Sequence, residues 1–388
     1  MNKTIKLYYE NEYAYGFEAR VLCALPLTDG SCELVLDRTA FFPEEGGQSC
    51  DRGTLNGWEV THVRIAENVI YHKVTAPAGT FAEGAAVSGS VDGAHRFSNM
   101  QQHTGEHIFS GLAHKLYGCT NVGFHLSDQI VTLDLDKPLT EAQIRNIEEQ
   151  ANRVITANVP VTVLYPSASE LSSLDYRSKL DLTEDVRIVV IEGTDMCACC
   201  APHVRRTGEV GMLKVQHVQN YKGGVRVSIL CGERALCDYR TRVSQAEEIS
   251  ELLSAPQNEL TEAVRKLKDE RDALNYKTIE LQKKLLSVLI RTVPESAENA
   301  LICIEEADAN AARNAVNTLM ETRPGICCVL IGDDERGYRF IIGSRTVDAR
   351  NVLSRLKETL GAKGGGSPAM VQGSVQASET EIKEKILP

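Results

Sequence analysis

Over residues 1 to about 95, polar and apolar positions alternate in short runs broken by Gly, Pro and Asp, as in "CELVLDRTAFF" and "AAVSGSVDGAH". A period of two turns one face of each run inward, so this segment predicts a small β-barrel. The period then changes. "SNMQQHTGEHIFSGLAHKLYG" reads as a helix, with Phe97, Met100, His107, Phe109 and Leu112 interspersed and Gly118 near its end. "TEAQIRNIEEQANRVIT" predicts a second helix, for which Thr140 and Gln143 supply a capping box. Strand-like runs follow at "VTVLY", "VRIVVIE", "GMLKVQHV" and "VRVSIL". From Ser254 a third rhythm begins: Leu260, Val264, Leu267, Arg271, Leu274, Thr278, Leu281, Leu285 and Val288 follow alternating spacings of four and three, the a/d pattern of a coiled coil. Arg271 and Thr278 interrupt that seam, so a hairpin within the chain competes with a dimer zipper. Ser254 and Gln257 predict a capping box at its start, with Pro256 tolerated in the first turn. The rest alternates strand and helix and ends in a glycine-rich stretch. The expected fold is α+β multidomain: a barrel-like domain (1–95), an α+β domain (96–240), a helical linker (241–297) and a C-terminal α/β domain (298–388).

The 388 residues are 43% hydrophobic and 24% charged, the balance of a globular protein that can bury more than one core. The N-terminus is polar and carries Glu10, Glu12 and Glu18, and no run approaches the roughly 18 apolar residues of a membrane span, so a cytoplasmic location away from membranes is expected. In a reducing compartment the twelve cysteines read as thiols or metal ligands rather than a disulfide framework. A formal net charge of −11 argues against indiscriminate polyanion binding and leaves room for a local basic groove.

The candidate chemistry lies in two distant segments. In "QQHTGEHIFS", His103 and His107 stand one helical turn apart on one face; in "DMCACCAPHV", Cys199 and His203 repeat the spacing of four. Three imidazoles and a thiolate favour Zn2+, which takes about four such ligands. Cys197 and Cys200 are neighbouring alternatives, and the repeated spacing selects Cys199. Four protein ligands also describe a zinc that merely staples two segments. "HTGEH" matches the HxxEH pattern of one zinc-peptidase class, which needs a carboxylate as third ligand instead of CxxxH. Arg205 and Arg206 follow the last histidine, and Lys222 and Arg226 flank a turn, giving a candidate phosphate path. In the tail, Lys363 precedes Gly364, Gly365 and Gly366, whose backbone N–H groups could face an anion.

Together these motifs resemble the editing domain of alanyl-tRNA synthetases and its freestanding relatives, the alanyl-tRNA editing proteins of the long form. "LDRTAFFPEEGGQSCDRGTL" is similar to that family's strand and glycine loop, "VGFHLSDQIVTLDL" to its next block, "GGVRVSILCGERAL" to the end of its editing module, and "GAKGGGSPAMVQGSV" to the C-terminal domain shared with DHH phosphoesterases, although no DHH motif occurs. The chain departs at Glu45, where the loop usually has glycine, at Ala201 and Pro202 before the last ligand, at Glu106, often glutamine, and at Ser367, usually arginine. The resemblance implies an ATP-independent, zinc-dependent hydrolase that removes serine, and to a lesser extent glycine, from mischarged tRNA for alanine, with 96–240 as the deacylase segment and 298–388 binding tRNA. It implies Thr39 as the residue touching the serine hydroxyl. Gln48 either contacts substrate or braces the loop, and Glu106 is either a general base or an outward-pointing bystander. A homodimer through the helical linker or the C-terminal domain is compatible with the pattern. The rival reading is a non-catalytic tRNA-binding or regulatory protein with a structural zinc.

Overall fold

The computed structural model describes residues 3–178 and 186–387. Its contacts divide into two compact units, Met1–Gln245 and Ala246–Pro388, so the barrel segment and the segment bearing the metal motif belong to one unit.

The first unit opens with β1 (Ile5–Lys6) and β2 (Gly16–Pro26), followed by β3 (Cys32–Leu36), β4 (Arg38–Thr39), β5 (Gly53–Leu55), β6 (Trp58–Ala66), β7 (Val69–Val74) and β8 (Ala86–Val91). Six of them close into a barrel in the order β2-β3-β7-β6-β5-β8, while β1 and β4 pair in parallel beside it. Alternate residues point inward: Val21, Leu34, Leu36, Leu55, Val60, Val63, Ile70 and Val74 are buried, and Phe41 and Phe42 fill the space between them.

Helix α1 (Gly93–Tyr117) starts at Asp92, whose carboxylate accepts from the His95 N–H, and ends at Gly118 in the left-handed conformation (φ 64°) that glycine adopts without a Cβ clash. From Asn99 to Ala113 every residue of α1 is buried, polar ones included. A helix buried all round must satisfy each polar side chain internally. Gln102 does so by accepting from the Cys231 N–H at 2.7 Å and donating to the Cys231 carbonyl at 2.8 Å. Gly111 lets the chain at Thr194 and Asp195 press against the helix: a Cβ there would stand 2.6 Å from the Thr194 oxygen.

Around α1 the chain adds β9 (Asn121–Leu126), β10 (Val131–Leu135), α2 (Glu141–Ala157), β11 (Val161–Leu164), α3 (Ala168–Leu171), β12 (Ile188–Ile191), β13 (Asp195–Ala198), β14 (Leu213–Tyr221) and β15 (Gly224–Cys231). The sheets run β14-β15-β10-β9 and β11-β12-β13. The capping box of Thr140 and Gln143 is formed, and α2 buries Ile144, Ile147, Ala151 and Ile155 in the core it shares with α1 and with Leu213 of β14.

One buried ion pair ties α1 to the barrel segment. Arg96 and Asp51 are both fully buried; Arg96 Nε donates to Asp51 Oδ1 at 2.9 Å, Nη1 to the Glu12 carbonyl at 3.0 Å and Nη2 to the Ala40 carbonyl at 2.6 Å.

After α4 (Gly232–Leu253), the second unit holds α5 (Leu260–Thr292), β16 (Ala300–Ile304), α6 (Ala309–Thr322), β17 (Cys327–Asp333), β18 (Gly337–Gly343), α7 (Ala349–Leu360), β19 (Lys363–Gly366), β20 (Met370–Val375) and α8 (Glu379–Ile386). Its sheet runs β16-β17-β18-β20-β19, with α6 on one face and α7 and α8 on the other. On α5, Leu286 is buried, but the expected seam residues Val264, Leu267, Leu274, Leu281, Leu285 and Val288 are exposed, so no hairpin covers them within this unit. The expected capping box at Ser254 is absent: Ser254 adopts φ 49°, and the short 3-10 turn at Gln257–Glu259 follows Pro256 with no side-chain cap. The glycine triplet forms an edge strand, paired with β20, instead of a loop cradling an anion. No helix among the described residues is long and apolar enough to cross a membrane.

Replacing Asp51 by Ala strands the Arg96 charge in the interior and is expected to cost about 3–5 kcal/mol. Urea unfolding measures it; a loss below about 1 kcal/mol would place the pair among weak surface bridges.

Candidate metal centre and its cleft

Helix α1 presents His103 and His107 with ring centroids 5.3 Å apart, and the loop after β13 brings Cys199 and His203 onto them, the His203 ring lying 4.9 Å from His103 and 4.5 Å from His107. One donor atom from each of the four residues lies within 4.8 Å of all the others. Cys199 Sγ stands 3.5 Å from His103 Nε2 and 3.3 Å from His203 Nε2. A tetrahedral ion with bonds of about 2.0–2.3 Å to nitrogen and sulfur has edges of about 3.3–3.6 Å, and both of these sulfur–nitrogen distances match such an edge.

The orientation of the rings comes from their other nitrogens. His103 Nδ1 is 2.6 Å from Gln48 Oε1, His107 Nδ1 is 3.0 Å from Asp195 Oδ2, and His203 Nδ1 is 3.0 Å from the Thr104 hydroxyl. Gln48 Oε1 and the Asp195 carboxylate can only accept, so they fix the proton on Nδ1 and leave Nε2 free to ligate. Asp195 is itself held by Arg177, Nε to Oδ1 at 2.7 Å and Nη2 to Oδ2 at 2.9 Å. Burial opposes its charge, but His107 and Arg177 outweigh burial and hold its pKa at about 2. Asp195 also stands within ligating range of His107 and Cys197, but with Arg177 on both oxygens it acts as the partner that orients His107.

Electrostatics separate the three neighbouring thiols. Burial raises Cys199, yet His103 and His203 more than reverse it, so its pKa falls well below the ordinary thiol value. Burial pushes Cys197 up, and burial together with the neighbouring Cys199 pushes Cys200 up. Burial drives His203 down to about 3, so it stays neutral and able to ligate. Against burial, Asp195 and Cys199 lift His107 well above its usual value. The cluster therefore favours one thiolate beside positive charge, the arrangement a divalent cation completes.

A cleft of about 520 Å3 opens beside the cluster and is lined by His103, His107 and Cys199 together with Glu106, Asn121, Phe124, Arg187 and others. Glu106 is buried in the cleft wall and not turned to bulk solvent, and its Oε1 accepts from Ser110 Oγ and Asn121 Nδ2. Gln48 is buried behind His103, outside the cleft lining. Thr39 is fully buried beside the barrel; its hydroxyl lies 2.9 Å from His72 Nε2 and accepts from the Phe41 N–H at 3.1 Å, and Thr39 does not line the cleft. His72, buried with it, is pushed down to about 4 by desolvation. The expected contact between Thr39 and a substrate hydroxyl therefore finds no support in this geometry. In the loop, Gly46 and Gly47 adopt φ 63° and 86° while Glu45 does not need the left-handed region, which explains why a glutamate is accommodated there.

The expected phosphate path is not assembled. Arg226 is bidentate to Asp134, Nε at 2.6 Å and Nη2 at 2.8 Å; Arg206 donates to the Asn158 carbonyl at 2.5 Å; Arg205 donates to Asn11 at 2.8 Å; and Lys222 caps a hairpin turn at φ 47°. None of the four lines the cleft. In the second unit, Lys363 borders a separate hollow of about 880 Å3 that also holds Glu305, Glu306, Asp308, Arg336 and Arg339, a wall of mixed charge. Thr104, Asp195, Arg177 and Asn121 were not singled out from the sequence; the only local signal was that Thr104 and Asp195 lie within four residues of a ligand in "HTGEH" and "DMCACC".

The candidate metal site, bridging a helix and a distant loop beside a barrel, lies in a chain that is similar to parts of aminoacyl-tRNA synthetases. The family described as tRNA synthetases class II (A) matches residues 24–95, the second additional domain of threonyl and alanyl tRNA synthetases matches residues 186–228, and the DHHA1 domain matches residues 297–387. The chain is a relative of the alanine-tRNA ligases: it is 30% identical to that of Pyrococcus abyssi over 99% of this chain and 43% of the relative, and 30% identical to that of Pyrobaculum neutrophilum over 99% and 44%. It thus spans less than half the length of the curated relatives it matches. Among solved structures, exonuclease RecJ bound to manganese matches 32% of this chain and 31% of its own at 15% identity and a TM-score of 0.26, a likeness that carries no argument.

Thr104→Val and Asp195→Asn leave all four donors in place but loosen His203 and His107, and each is expected to weaken metal binding about 10–100-fold. Competition against a chromophoric chelator measures this; unchanged affinity in both would show that these partners do not orient the rings.

Proposed function

We propose that the chain is a zinc-dependent hydrolase that acts in trans on tRNA for alanine mischarged with serine, and more weakly with glycine. The observation that carries this reading is the convergence of His103, His107, Cys199 and His203 beside a cleft also lined by a buried, anchored carboxylate, in a relative of alanine-tRNA ligases. A synthetase pocket for alanine excludes glycine poorly and serine imperfectly, so a second site that tests the amino acid again is chemically useful.

In this reading the four donors hold zinc while Gln48, Asp195 and Thr104 keep the imidazoles aimed. Bound zinc would supply a Lewis acid for the ester carbonyl and lower the pKa of water. Glu106, fixed by Ser110 and Asn121, takes a proton from water as it adds to the ester carbon and returns that proton to the ribose oxygen as the carbon–oxygen bond breaks, releasing serine and a free 3′ hydroxyl. Asn121 and Glu106 are the polar groups of the cleft suited to pairing with a serine hydroxyl, which alanine lacks. Residues 96–240 bear the editing chemistry and 298–388 contribute to binding tRNA. The exposed seam on α5 supports a homodimer. One observation favours the rival reading of a tRNA-binding module with a structural zinc: four protein donors can close the coordination sphere.

Incubation with serylated and alanylated tRNA for alanine separates the two. The deacylase releases serine and spares alanine, and chelation, His103→Ala or Cys199→Ala lowers kcat/KM by about 100-fold or more, while Glu106→Gln lowers kcat by about 10²–10⁴-fold. Tight RNA binding with no release of serine would establish the rival.

A further inference from the structure

The cleft beside the metal centre does not end at its own wall. A second hollow, lined by Lys3, Thr4, Glu10 and Tyr165, shares Lys6, Tyr9 and Asn68 with it, so the two form one path in the first unit. Chain topology explains the junction. Strand β1 carries Lys6, the 3-10 turn Leu7–Tyr9 sets Tyr9 beside it, Asn68 sits in the tight turn between β6 and β7, and Tyr165 follows β11.

At the junction two cations lie near the Tyr9 ring: Lys6 Nζ is 5.3 Å from its centroid and Arg187 Cζ 5.2 Å. Neither Lys6 nor Arg187 lies within ion-pair distance of a carboxylate among the described residues, unlike Arg226, Arg177 and Arg96. Arg187 is buried, its Nη1 holds the carbonyls of Cys199 and Ala201, and its Nε has no partner among the described residues. Farther out, Tyr165 is 59% exposed. Cations alternating with aromatic faces along a groove are what a single strand of nucleic acid requires, the cations meeting phosphates and the rings stacking on bases. Glu10 and Glu45 also border the path, which suits one strand threading between charges better than a duplex lying on a uniformly basic surface.

We propose that the single-stranded 3′ end of an RNA enters along Tyr165 and Lys6, passes the Tyr9 ring with a phosphate between Lys6 and Arg187, and delivers its terminal nucleoside to the metal centre. The identity of that terminus as an aminoacyl ester rests on the deacylase reading; the path itself rests on the groove. It replaces the route through Arg205, Arg206, Lys222 and Arg226.

The test uses the full chain and an unacylated RNA hairpin with a 3′ extension of about four nucleotides, against the same stem without it, read by fluorescence anisotropy. The unaltered chain binds the extended hairpin more tightly. Lys6→Glu and Tyr165→Ala each reduce that preference by about tenfold and leave binding of the blunt stem unchanged, Lys6→Arg retains it, and Lys6→Glu lowers the salt dependence by about one phosphate contact. Equal binding of both hairpins, or both variants keeping the full preference, overturns the path. Failure of the deacylase reading looks different: the extension and its variants still govern binding, but no serine is released from charged RNA.

Discussion

Everything in the first unit is arranged around the fixed direction of three imidazoles. A histidine ring on a buried helix can turn about its side-chain bonds, and a metal needs Nε2 of each ring aimed at one point. Gln48, Asp195 and Thr104 remove that freedom by engaging Nδ1. These partners come from the loop beside the barrel, from β13 and from α1 itself, so the barrel, the small sheet and the helix must all be in place before the rings agree. The Arg96 and Asp51 pair and the closely fitted Gly111 keep those parts in register, which makes remote packing part of the site.

This arrangement accounts for a helix that looks wrong by ordinary patterning. Helix α1 buries Gln101, Gln102, Glu106 and Ser110 with no polar face to solvent. Buried polar groups are tolerated where they find partners: Gln101 and Gln102 find theirs in segments far along the chain, while Glu106 and Ser110 pair with each other and with Asn121. The four candidate ligands could be picked out because each pair repeats a spacing of four, but that spacing has a geometric meaning only for His103 and His107 on α1, since Cys199 and His203 lie in the loop after β13. Their supporting residues could not be picked out, since nothing local distinguishes Asp195 or Arg177 from any charged pair in a loop.

The same contrast runs through the fold. Alternation, the Thr140 cap and the Gly118 stop could be read directly because backbone geometry enforces them within a few residues. The roles of single residues could not. Arginines beside a ligand suggest a phosphate path until Asp134 and the Asn158 carbonyl are seen to hold two of them, and a threonine on a strand suggests a substrate contact until His72 is found against its hydroxyl. Three consecutive glycines can equally line an anion nest or pair along a sheet edge, and the register with β20 decides for the edge.

The account stands on one ion held by one sulfur and three nitrogens. X-ray absorption at the zinc edge on the purified full chain reads this directly: a single sulfur at about 2.3 Å and three nitrogens at about 2.0–2.1 Å are expected. A shell with two sulfurs, which would bring in Cys197 or Cys200, or one with no sulfur at all, would contradict it.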